Sequence, residues 1–148
     1  MTSQCPACGA RWENGRTCQD NFYQMLFWEN ENPANGVVHH LMVLCYHLQH
    51  PHLYSEDGLG YALGLLKEML VEEKSPAEIR NQKRKTVDSG RRNWKVTARP
   101  ESKGSYRNPV HWSMRAADVV AAGEEQYIEQ VKTWAWSVYK DLQTAENL

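Results

Sequence analysis

The chain has 148 residues, 41% of them hydrophobic and 24% charged, and a formal net charge of −1. That length suits one domain with a real core, and that composition excludes a disordered or fibrous chain. Its apolar stretches are broken by His, Gln, Lys or Glu well short of the ~20 residues of a membrane span, so no membrane association is expected.

Six tryptophans and seven tyrosines offer enough buried area for a firm core without disulfide staples. The opening Met-Thr-Ser-Gln-Cys-Pro has neither a basic leader nor an apolar signal core, so a cytoplasmic location is expected. The small net charge hides a segregation. Between Arg80 and Arg107 ten cations face only Asp88 and Glu101, whereas the remainder holds seven cations and sixteen acids.

Residues 1–17 carry Cys, Gly and Arg with little periodicity, as a knuckle of turns would. Cys5-Pro6-Ala7-Cys8-Gly9 is half of a tetrahedral zinc site, two thiolates two residues apart followed by a glycine that tolerates left-handed backbone. From Cys18 to about Glu31 the spacing predicts a first helix, with Cys18, Phe22, Leu26 and Glu29 on one face and Tyr23, Met25 and Phe27 beside it. Asn32-Pro33-Ala34-Asn35-Gly36 ends it. Val37, Leu41, Leu44 and Leu48, broadened by Val38, Met42 and Cys45, predict a largely buried second helix over 36–49, closed by Pro51.

A third helix is expected from Glu56 to Glu73, with Ser55 as N-cap and Leu59, Leu63, Leu66 and Leu70 inward. Gly60 and Gly64 within it suggest close approach of another backbone. Ser75-Pro76-Ala77-Glu78 has capping-box form and should open a short basic helix to Thr86. Residues 87–112 lack helical period; Trp94–Ala98 reads as a short strand. Ser113 is expected to cap a helix through Ala122. The last helix, from about Glu124 to Gln143, places Tyr127, Val131, Trp134, Val138 and Leu142 on one face. The fold class is therefore mainly α: a helical bundle of one domain with an N-terminal zinc knuckle (1–17), helical hairpins (18–86), a basic loop or short β segment (87–112) and C-terminal helices (113–148).

A short loop makes the first two helices antiparallel. Residue 18 then falls opposite residue 49, bringing His50 and His47 near Cys18 and leaving His39 near Trp28 and Glu29. His39 and His50 are separated by ~16 Å of helix axis, too far for one ion whose ligands lie ~2 Å away. The expected ligands are Cys5, Cys8, Cys18 and His50 around a structural Zn2+, with His47 or His52 as substitutes. Cys45 reads as a core residue. Disulfides, a redox pair and free thiols are the competing readings of the cysteines. His39, alone or with Glu29, is a candidate second ligand or general base; the plainer reading is a hydrogen-bonded core or rim histidine.

The Cys5-Pro-x-Cys8-Gly9 knuckle, joined to a helix reading Val38-His39-His40-Leu41-Met42-Val43 and continuing Tyr46-His47-Leu48-Gln49-His50-Pro51, resembles an uncharacterised family of small bacterial proteins, a domain of unknown function. The likeness spans about the first third of the chain. It implies weight for His39, Tyr46, Gln49, His50 and Pro51, with His50 as a ligand, and brings no activity or substrate.

No nucleophile elbow, Gly-rich phosphate loop or Glu-x-x-His repeat is present in the sequence. The reading that follows is a zinc-stabilised binding or accessory module rather than an enzyme, its partner a protein or small ligand sooner than nucleic acid. One alternative is a nucleic-acid or phospho-ligand surface over 80–107, using Arg84, Arg91, Arg92, Trp94 and Lys95. Another is a metalloenzyme with a site near His39. For the basic stretch the plainer reading is a solvated loop paired with the protein's own acids, with Trp94 packed on the bundle.

Overall fold

The computed structural model describes residues 4–75, 77, 78 and 103–148. The basic helix expected to Thr86, the strand at Trp94–Ala98 and the anion-binding candidates Arg84, Arg91, Arg92, Trp94 and Lys95 lie outside them. Five helices form the described fold: α1 (Cys18–Glu31), α2 (His39–Leu48), α3 (Glu56–Leu70), α4 (Ala116–Ala122) and α5 (Tyr127–Thr144). No strand occurs among the described residues; Gln4–Arg11 and Ser55–Lys103 are isolated bridges.

Local chemistry starts these helices where the sequence places them. Thr17 caps α1: its hydroxyl accepts from the Asp20 amide at 3.2 Å while the Asp20 carboxylate accepts from the Thr17 amide at 2.9 Å, a reciprocal box that satisfies two otherwise orphaned donors. Ser55 caps α3 by accepting from the Gly58 amide at 2.9 Å. Ser75 accepts from the Glu78 amide at 3.2 Å, as its cap form predicts. Ser113 departs from expectation. Its amide and hydroxyl both bond the Asp141 carboxylate, at 2.7 and 2.8 Å. Helix α4 begins instead after Arg115, whose amide donates to Asp118 at 2.9 Å.

Helix α2 packs against α3 and α5; α5 also meets α3 and α4, and α4 rests on α1. Tyr127, Val131, Trp134, Val138 and Leu142, the predicted stripe of α5, are all completely buried, worth about 1.5–3 kcal/mol for each large side chain. Met42, Cys45 and Leu48 of α2 meet them in the same core. Cys45 is a core thiol, as its apolar neighbours suggest, and burial pushes its pKa up.

Three expectations shift once the helices pack. The buried stripe of α1 is Cys18, Asn21 and Met25, while Tyr23 and Phe27 are exposed. α1 is turned so that a polar residue, Asn21, enters the α4 side. Val37 also lies outside, in the 3₁₀ turn (Pro33–Val38) that precedes α2. Gly60 and Gly64 are exposed with no heavy atom near a would-be Cβ, so no second backbone approaches them. The close approach is at Gly104, where a Cβ would sit 2.9 Å from the Pro51 carbonyl oxygen and 3.2 Å from those of Tyr54 and Ser55. The Gly104 amide donates to the Tyr54 carbonyl at 2.8 Å, and the Tyr106 hydroxyl donates to that of Leu48. The described end of the expected basic loop is thus fastened over the exit of α2.

Candidate metal centre

Residues Gln4 to Arg11 fold back on themselves. The Cys5 amide donates to the Ala10 carbonyl at 2.8 Å and the Gly9 amide to that of Cys5 at 3.0 Å, with Gly9 at φ +78°. Such a turn exposes backbone N–H groups to sulfur, and the Cys8 amide lies 3.5 Å from Cys5 Sγ. It also aims both thiols inward, since Cys5 and Cys8 are each less than a tenth exposed.

The antiparallel α1–α2 pair delivers the other two groups. Glu29 meets His39, Phe22 stacks on Tyr46, and Cys18 approaches His50. Every step back along α1 is matched by an equal step forward along α2. The register derived from a short loop therefore places Cys18 and His50 at one end and His39 at the other.

Cys5, Cys8, Cys18 and His50 converge, their donor atoms all within 4.8 Å of one another and all four residues buried. Cys8 Sγ lies 3.6 Å from Cys18 Sγ, and Cys5 Sγ lies 3.6 Å from His50 Nε2. A tetrahedral ion with ~2.3 Å bonds to sulfur and ~2.0 Å to nitrogen requires edges of about 3.8 Å and 3.6 Å. The donor set therefore fits a thiophilic divalent metal, and none of the four cysteines is in a disulfide.

Groups around the ligands prepare them. His50 Nδ1 donates to the Tyr46 carbonyl at 2.6 Å, because a carbonyl oxygen can only accept. This leaves Nε2 with its lone pair toward the sulfurs. The ring is held by a stack, Tyr46 at 4.4 Å from His50 and Phe22 at 4.5 Å from Tyr46 between centroids. The Trp12 indole N–H donates to Cys18 Sγ at 3.4 Å, offsetting charge on that sulfur. Arg115 Nε donates to the Cys8 carbonyl at 2.7 Å, tying the knuckle to the start of α4.

The electrostatics of the cluster ask for a cation. Hydrogen bonds from Cys18 and Cys8 hold the Cys5 thiol far below its usual range. Contacts with Cys18 and Cys5, with burial, push Cys8 well above it. Burial would lower His50, but its bonds to the Cys18 and Cys5 sulfurs and to the Tyr46 carbonyl raise it to about 9. A dipositive ion lets all three sulfurs ionise around it. Burial, with the nearby sulfur charges, pushes the Tyr46 phenol up to about 12, so it stays neutral beside them.

The proposed substitutes stand aside. His47 donates through Nδ1 to the Val43 carbonyl at 2.8 Å and stacks near Tyr54, while His52 is exposed. His39 is a rim histidine: Nδ1 donates to Glu29 Oε1 at 2.6 Å, with the His39 side chain 42% and the Glu29 side chain 8% exposed. Glu29 Oε2 accepts from the Tyr127 hydroxyl. No second group of three metal-binding side chains occurs among the described residues.

Trp12, Arg115 and Tyr127 had no signal as site neighbours in the sequence. Arg115 and Tyr127 act across about a hundred residues and Trp12 across only six, from a stretch without period; only Tyr127 sits in a periodic pattern, where it reads as core. Gln49 belongs with them: completely buried, it donates to the Met114 carbonyl at 2.7 Å and ties the end of α2 to the approach of α4.

Residues 3–143 match a family described as a family of unknown function, DUF5946. The chain belongs to it. DUF5946 membership covers nearly the whole chain, well beyond the third that carries the Cys-Pro-x-Cys-Gly and Gln-His-Pro resemblance. No curated protein and no solved structure matches this DUF5946 chain. Within the described residues no helix is long and apolar enough to cross a membrane.

Proposed function

We propose that the chain is a zinc-stabilised helical binding or accessory module, folded as one domain, in which Cys5, Cys8, Cys18 and His50 hold a single structural Zn2+. The observation that carries this reading is the convergence of three buried sulfurs and one oriented imidazole within 4.8 Å. Three thiolates with one imidazole favour zinc over the harder divalent ions. Four protein ligands fill a tetrahedral shell, so no position is left for substrate or an activated water, and the role is structural.

What such an ion does follows from chain connectivity. It cross-links the leading turns to both helices of the first hairpin, joining residues 45 positions apart. That closes a loop whose entropy the unfolded chain would otherwise regain. Reduced thiols of this kind suit the cytoplasm. The test is metal analysis of freshly purified protein with a thermal melt before and after a strong chelator. One zinc per chain, lost on chelation with a large fall in melting temperature, is expected. A metal-free protein melting at the same temperature with and without chelator overturns the reading.

A further inference from the structure

Between the knuckle, the first turns of α1 and α4 lies a cleft of about 730 Å³, within the range of small-molecule sites. Asn21 lines it and is only 4% exposed. No hydrogen bond joins its carboxamide to another described residue, so its polar atoms open on the cleft. A carboxamide offers up to four hydrogen bonds. Such a group facing a cleft is poised for something that enters the cleft.

Three guanidinium groups share the same walls. Arg11, Arg16 and Arg115 line the cleft, and none makes an ion pair among the described residues. The Nε of Arg115 is occupied by the Cys8 carbonyl at 2.7 Å, leaving its terminal nitrogens. Two carboxylates also line the cleft, Glu13 and Asp118. Asp118 accepts from the Arg115 amide at 2.9 Å, and three guanidinium groups against two carboxylates leave the walls net positive. Val120 and Ala121 of α4 add a small apolar wall. Arginine forks match carboxylate and phosphate oxygens with paired donors, a fit that a point charge lacks.

We propose that this cleft binds a small organic anion, its carboxylate or phosphate held by Arg16 and Arg115 and its hydrogen-bonding edge completed by Asn21. The proposal deepens the binding-module reading by naming a site and a ligand class, and it does not depend on the identity of the metal.

Titration of the purified full chain with succinate, inorganic phosphate and adenosine monophosphate tests it, read by the Asn21 side-chain amide resonance and by thermal shift. At least one probe is expected to move that resonance saturably and raise the melting temperature. Succinate against phosphate tells a carboxylate from a phosphoryl preference. Arg16→Glu, on the exposed rim, and Asn21→Leu should each weaken binding at least tenfold. Thermal melts of both variants check that they fold like the parent. Silence of the Asn21 resonance with all three probes overturns the proposal. So does unchanged affinity in both variants, or unfolding of Asn21→Leu together with full binding by Arg16→Glu. Zinc content measured on the same samples separates the two readings. Zinc-free protein that binds sinks only the metal centre, and zinc-loaded protein that binds no probe sinks only the cleft.

Discussion

His50 and His39 stand at opposite ends of the α1–α2 pair and differ in where each imidazole sends its second nitrogen. Both donate through Nδ1, His50 to a main-chain carbonyl and His39 to the Glu29 carboxylate. His50 is buried and directs Nε2 at three sulfurs; the His39 side chain is 42% exposed. At one end three sulfurs and an imidazole bring their donor atoms within 4.8 Å of one another. At the other a buried carboxylate is satisfied by an imidazole and a phenol. One hairpin thus carries a cluster that could hold a metal at one end and a hydrogen-bonded carboxylate at the other, and the side-chain chemistry decides which is which.

The largest effect should come from Cys8→Ser. Loss of one sulfur should release the metal and lower the melting temperature by roughly 10 °C or more, since several kcal/mol convert at about 2–4 °C per kcal/mol for a chain of this size. Circular dichroism melts with metal analysis check it, and retention of one zinc by the variant would break the contrast.

His50→Ala against His39→Ala compares the two ends directly. The first should cost metal binding at least tenfold in a competition with a chromophoric chelator. His39→Ala should keep one metal per chain and lose about 1–2 kcal/mol in urea unfolding, because Glu29 forfeits a charge-assisted bond. Equal metal loss in both would erase the distinction.

Tyr127→Phe removes the other donor to Glu29. The phenol is held well above its usual pKa by burial first and then by its bond to Glu29, so it remains protonated at any ordinary pH. The variant should lose about 1 kcal/mol with metal content unchanged.

Smallest is Thr17→Ala, at the metal end. Removing this N-cap should cost ~1 kcal/mol of stability. The Asp20 carboxyl is held below its usual value by the Thr17 amide and hydroxyl. Its stabilisation is present above the unfolded pKa near 3.9 and lost as the pH falls further. A urea series from pH 6 to pH 3 should show the gap between parent and Thr17→Ala narrowing with acid; a gap that widens would reject the cap as its source.

Much of this was legible in the residues. The α5 stripe from Tyr127 to Leu142 repeats every three or four positions and is completely buried. Cys18 and His50 could be paired because a short connection permits essentially one register. Asn21 could not be foreseen inside, for a polar residue carries no hydrophobic signal, and the rotation of α1 depends on α4, about a hundred residues away. Gly60 and Gly64 misled for the complementary reason: a glycine in a helix marks permission for close approach, and no chain took it. Gly104, in a stretch without period, is where backbones meet.

The order of amino acids by itself determined the buried face of α5, the cap at Ser55, the Cys-x-x-Cys turn and the antiparallel pairing that carries Cys18 to His50. These are local rules of period, turn and loop length, and they act over a few residues or one short connection. Only the tertiary structure decided that His47 and His52 stand outside the cluster, that Trp12 and Arg115 brace the sulfurs and the knuckle, and that Asn21 lies in a cleft lined with arginines. Apart from Trp12, six residues from Cys18, those choices rest on contacts between segments far apart in the chain, whose geometry exists only once the helices have packed.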